Sequence, residues 1–93
     1  MTTNEPIESC RGLGPSSARM LKRIDIQTKA DLIEKGAVQA YLALEQLGQS
    51  MNLNLLYAMV GAIEDQDWRS VAQREKDRLL IELEAAREWH HSH

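Results

Sequence analysis

The residues best placed to do chemistry stand near the start of the chain, in Gly12-Leu13-Gly14-Pro15-Ser16-Ser17-Ala18-Arg19-Met20-Leu21. Gly, apolar, Gly, three free positions, Ala and an apolar pair is the spacing of a helix-hairpin-helix turn. The two glycines are expected to supply backbone angles that a side chain would block. Leu13 should pin the turn to a core, and Ala18 should let neighbouring helices pack closely. Such a turn points the unpaired N–H groups of its second helix outward, at the positive end of the helix dipole, which suits a phosphate. The candidate nucleic-acid-binding residues are Arg11, Gly12, Leu13, Gly14, Ser16, Ser17, Arg19 and Lys22, which would touch the backbone without reading sequence. The competing reading makes the same turn a connector or a protein-binding element. The single copy of the turn and the net charge of −3 favour that second reading.

The remaining reactive side chains form no such pattern. His90, His91 and His93 cluster in the last four residues without a further ligand spacing, so no metal site is expected. Cys10 is the only cysteine, which rules out an intrachain disulfide; with no histidine beside it, a small core residue is expected. Asp65 and Asp67 resemble an acid pair but sit in a polar break, where a solvated turn is the simpler reading. A pocket near Tyr41, Tyr57 and Trp68 is conceivable, yet core packing accounts for those residues more simply. No nucleophile with a base, no acid/base pair and no nucleotide-binding glycine loop is present in the sequence, so neither an enzyme nor a cofactor is expected.

The elements that must position the turn are helical throughout. The 93 residues are 43% hydrophobic and 27% charged, which suits one globular domain, and Phe is absent, leaving Leu, Ile, Val, Met and Ala to build the core. Residues 1–5 read as a loose lead-in, 6–89 as the domain and 90–93 as a histidine-containing tail. Pro6 should open a short helix ending at Gly12, and Pro15 a second through about Arg23. Thr28 with Asp31 predicts a capping box for a helix that turns Leu32 and Ile33 inward and ends at Gly36. Ala37 to Leu47 follows with Val38, Tyr41, Leu42 and Leu44. From Asn52, a good N-cap, the run to Ile63 is apolar almost all round and belongs at the centre of a bundle. Its small residues Ala58, Gly61 and Ala62 should allow a close neighbour. Ser70 with Gln73 predicts the cap of a last helix, about 71–89, with Leu79, Leu80 and Leu83 inward and Arg78 four residues before Glu82. Trp68 should anchor that helix, and a more exposed Trp89 would mark a partner or self-association contact. The fold class is therefore all-α, a compact single domain of five or six short helices.

Charge is unevenly spread. Residues 1–36 carry six basic and five acidic side chains, residues 37–93 five and nine, so any basic patch is confined to the front. The first residues have neither the basic start nor the apolar stretch of a signal peptide, and polar residues interrupt every apolar run short of a membrane span. A cytoplasmic location is the default expectation.

Several blocks in order resemble the C-terminal domain of the TfoX/Sxy competence regulators, from about Cys10 to Leu83. They are Leu13 to Ala18, Ile24-Asp25-Ile26 with Asp31-Leu32, and Gly36-Ala37 leading to Ala40-Tyr41-Leu42. The most specific are Asn52 to Ala58, Gly61-Ala62 and Trp68. At Ser16 the chain departs from the lysine that many members carry nearby. The resemblance implies a compact helical fold and a regulatory role, as an accessory factor in bacterial transcription of DNA-uptake genes. It also implies a protein partner, either a transcription factor or a separately encoded domain like the α/β domain that commonly precedes this one. The expected function is thus a small non-catalytic interaction module. The alternative is a weak, sequence-independent binder of the DNA backbone. Self-association is also open.

Overall fold

The computed structural model describes residues 5–10, 12–49 and 51–92, the last three as backbone only. Five α-helices follow one another: α1 (Pro15–Lys22), α2 (Lys29–Lys35), α3 (Ala37–Gln46), α4 (Leu53–Glu64) and α5 (Trp68–Ser92), preceded by a single 3-10 turn over Ile7–Ser9. The all-α class holds, and the expected helix from Pro6 to Gly12 does not form. Pro6 is extended, and Cys10 is extended again just after the turn. Ile7 explains the arrest: it is fully buried, and its N–H donates across to the Gln27 carbonyl. The Lys29 N–H donates in turn to the carbonyl of Glu5, so Pro6 pairs antiparallel with Thr28. Backbone pairing with residues 27–29 has taken the place of helix propagation. Glu5, expected in a loose lead-in, is already tied down.

The central helix is α4. Every residue from Leu55 to Ala62 is buried, and the helix packs against α2, α3 and α5. Asn52 caps it, its side-chain oxygen accepting from the Asn54 N–H at 3.0 Å. Asp65, in the left-handed conformation, ends it, and the Gln66 N–H closes back on the Gly61 carbonyl at 2.8 Å. Gly61 admits that closure because a Cβ there would lie 2.5 Å from the Gln66 carbonyl oxygen and 3.4 Å from the Trp68 nitrogen. The small residue makes room both for the α4–α5 turn and for the first residue of the neighbouring helix α5.

The α2 capping box is present in both directions: the Asp31 N–H donates to the Thr28 hydroxyl, and the Asp31 carboxylate accepts from the Thr28 N–H. Leu32 is buried, but Ile33 is 43% exposed, contrary to its expected inward place. A seven-residue helix buries one narrow stripe, and the next residue along is rotated 100° off it. The cap of α5 also differs from expectation. Asp67, not Ser70, holds its first N–H groups: the carboxylate accepts from Arg69, and the carbonyl from Ser70 and Val71. An acid immediately before the helix outcompetes a serine further in, because it meets the orphan N–H groups and the dipole together. Leu79 and Leu83 are buried, Leu80 is half-buried, and Arg78 pairs with Glu82 at 3.2 Å.

Candidate binding surface around the hairpin turn

The turn is built from opposite requirements at its two glycines. Gly12 has a φ of +81° and rests on Ala58 of α4, where an added Cβ would meet the Ala58 Cβ at 3.9 Å. Only glycine takes this conformation without strain. Gly14 is extended (φ −131°, ψ −169°), with open space where a side chain would go. The expected need for special backbone angles therefore holds at Gly12 and not at Gly14. Leu13 is buried between them and its N–H donates to the Cys10 carbonyl, while Ala18 is packed against the core. The turn is fixed by these contacts and by the pairing of residues 5–7 with 27–29, not by a first helix.

Helix α1 begins without a side-chain cap and without an acid in its first turn. Its first backbone bond runs from the Ala18 N–H to the Gly14 carbonyl. Ahead of that bond, Pro15 has no N–H, so Ser16 and Ser17 supply the orphan donors. Ser16 is exposed and Ser17 half-buried.

Four of the expected site residues divide between clefts on two sides of α1, while Gly14 and Ser16 line neither and Leu13 is in the core. Gly12 and Ser17 border a cleft of about 430 Å³ together with Met20, the start of α4 and Trp68. Its apolar surface is Met20, Met51, Leu55, Ala58 and the indole; Asn52 and Asn54 give it a polar rim. No carboxylate lines it among the described residues. Arg19 and Lys22 border a different cleft of about 300 Å³, with Pro15, Ala18 and Glu8. Both cations are exposed, and neither makes an ion pair among the described residues. Arg11 lies outside the described residues. The spacing dictates the split, since Ser17 and Met20 form one i,i+3 row while Pro15, Ala18, Arg19 and Lys22 form the adjacent one.

The residues not foreseen as a site are Met20, Met51, Asn54, Leu55 and Ala58, which converge only because the turn is laid on α4. Tyr41 and Tyr57 are both buried in the core, as packing predicts; Tyr57 and the half-buried Trp68 also border a cleft with Arg69, whose guanidinium stands 5.5 Å above the Trp68 ring. Asp65 and Asp67 are exposed turn residues, and Asp67 is the helix cap already described. The carboxyl pair in the structure is instead Glu64 with Glu75, bridging α4 and α5. Partial burial and then hydrogen bonding to Glu75 push Glu64 up, and the Arg78 guanidinium holds Glu75 down. Cys10 is buried, with its Sγ 3.5 Å from the Pro6 carbonyl oxygen; burial first, and then the Glu5 charge, raise the thiol above its ordinary value. The thiol is a core group, and both effects disfavour its thiolate. No group of three or more His, Cys, Asp or Glu among the described residues could hold a metal ion. The side chains of His90 and His91 and the whole of His93 lie outside the description. No helix among the described residues is long and apolar enough to cross a membrane.

A small all-helical domain, its N-terminal turn laid over a buried central helix, is the class of protein that fold and surface define. Residues 3–83 match the TfoX C-terminal domain, and the chain belongs to that family. Neither the curated proteins nor the solved structures returned a match.

Proposed function

We propose that this domain is a non-catalytic regulatory module that docks a segment of another protein in the cleft between α1 and α4. The supporting observation is the make-up of that cleft. Two methionines, Leu55 and one indole give it an adaptable apolar floor. The N-terminal ends of α1 and α4 meet at its rim, neither with an acid in its first turn. Two positive dipole ends and no lining carboxylate suit a segment that carries apolar anchors beside acidic side chains. Membership of the TfoX family supports a place in bacterial transcription or competence control, in the cytoplasm. The partner would then be a transcription factor or a separately encoded TfoX N-terminal-like domain. Titrating the protein with an acidic amphipathic peptide of Leu and Asp, followed by amide chemical shifts, tests the docking surface. Shifts should concentrate on residues 12–20 and 51–58 and vanish in Met20→Glu and in Met51→Glu. Shifts elsewhere, or none at millimolar peptide, would sink the reading.

A second reading is sequence-independent contact with a nucleic-acid backbone. It is favoured by the uncapped start of α1 and by the unpaired Arg19 and Lys22, which lie one and two turns along the same helix. Glu8 in the same cleft opposes it. Duplex DNA binding that weakens steeply with salt, and is lost in Arg19→Glu with Lys22→Glu, would support it. No binding at low salt would remove it.

A further inference from the structure

The outer face of α5 carries a feature that neither docking reading uses. Ile81 is 71% exposed and Trp89 59%, the two most exposed large apolar side chains among the described residues. With Ala85 between them they fall at i, i+4 and i+8, a strip about 12 Å long on one side of the helix. Ala85, Ala86 and Trp89, together with Gln39 of α3 and Glu82, line a cleft of about 460 Å³. The small alanines leave space in the middle of the strip for an incoming side chain. The borders are acidic. Glu82, Glu84 and Glu88 flank the strip; Arg78, one turn before Ile81, is shared between Glu75 and Glu82, and Arg87, the one basic residue between Ile81 and Trp89, turns back onto Glu45 and Glu84, so acids outnumber bases around the strip. Glu88 has no ion pair among the described residues.

We propose that this strip docks a basic amphipathic helix from another protein: one large apolar residue enters beside Ala85, and lysines or arginines on either side meet Glu82 and Glu88. Charge selects that occupant. An antiparallel second copy centred on Ala85 would set Glu82 opposite Glu88, and a parallel copy would set Glu82 beside Glu82 and Glu88 beside Glu88, acid against acid either way, whereas a basic helix meets both borders with opposite charge. A helix laid along an apolar strip with charged margins is an established recognition mode. The proposal does not depend on the α1–α4 cleft, with which this surface shares no lining residue.

The test uses the whole chain and a fluorescently labelled 18-residue Leu/Lys amphipathic helix, read by anisotropy at 0.15 M salt. A scrambled peptide of the same composition is the first control. The amphipathic helix should bind at least tenfold more tightly than the scramble. Ile81→Ala with Trp89→Ala should lose at least tenfold, and so should Ile81→Asp alone. Glu82→Lys with Glu88→Lys should switch preference to a Leu/Glu helix. Because these side chains are exposed, each variant should keep the helical circular dichroism of the parent. Equal binding of the scramble, or undiminished binding by the Ile81 variants, would overturn the proposal. So would sedimentation showing that two copies associate through this face, with the association abolished by Ile81→Asp.

Discussion

Arg87 on α5 grips both carboxylate oxygens of Glu45 on α3, its Nε at 2.9 Å from one and a terminal nitrogen at 2.5 Å from the other. This two-pronged bond joins residues 42 apart in sequence and clamps the C-terminal half of α5 to the bundle. The guanidinium holds the Glu45 carboxyl below its ordinary value, and Arg87 is pushed up in return. Both side chains are more than a third exposed, so water screens much of the attraction. A double-mutant cycle with Glu45→Ala and Arg87→Ala should therefore give a coupling of no more than about 1 kcal/mol. Its pH dependence has a definite sign. The coupling should be complete above the ordinary glutamate value of 4.5 and disappear as the pH falls through the depressed value.

Gly61→Ala should be among the costliest single-methyl additions in the chain. The new Cβ would stand 2.5 Å from a backbone oxygen, which cannot swing aside as a side chain can. Overpacking of this kind costs about 1–3 kcal/mol, and urea unfolding should show it as a lower midpoint with an unchanged slope.

Gly14→Asp separates fold from phosphate contact. Gly14 already has the extended angles of an N-cap, and nothing occupies the space a side chain would fill. Aspartate there should satisfy the Ser16 and Ser17 donors and raise stability by about 0.5–1 kcal/mol. If phosphate contact is the domain's work, the same substitution should abolish DNA binding while raising the melting temperature.

The capping box of α2 makes a matched pair of predictions. Thr28→Ala should cost about 1 kcal/mol. The Asp31 carboxyl is held below its ordinary value, chiefly by the Gln27 N–H and with help from Thr28. Its contribution should be present at neutral pH and be lost on acidification through that depressed value, a loss that Asp31→Asn should remove from the acid-unfolding profile.

Cys10 should react with a thiol reagent far more slowly in the folded protein than in denaturant. Burial and the Glu5 charge both disfavour its thiolate. Labelling at neutral pH should track the opening of the N-terminal segment, and Glu5→Gln should quicken it modestly.

Local signals made much of this architecture legible. Thr28 with Asp31, the Asn52 cap, the Gly36 stop and the almost wholly apolar run of α4 each acted over a few residues, and each appears where its chemistry put it. The misreadings needed long-range information. Pro6 looks like the opening of a helix until Ile7 is seen bonded to Gln27, twenty residues on. Ser70 looks like a cap because nothing in the spacing tells that α4 closes tightly enough to leave Asp67 at the start of α5. The candidate surface was legible only in part. The turn residues were recognisable, but Gly12 meets Ala58 across 46 positions, and that contact is what gathers Met20, Met51 and Leu55 around one cleft. The same spacing that suggested a single basic site placed Arg19 and Lys22 on the other row of α1.

The pairing of Pro6 with Thr28 has a kinetic meaning. Two backbone hydrogen bonds, Ile7 to Gln27 and Lys29 to Glu5, close residues 5–29 into a ring with α1 and the hairpin turn strung between. A closed ring cannot fray from one end. Its amides should exchange with solvent as one cooperative block when the clasp releases, at a rate set by the clasp and not by the weakest residue of the turn. The wall that Gly12, Ser17 and Met20 give the α1–α4 cleft is thus presented, or withdrawn, as a single latch.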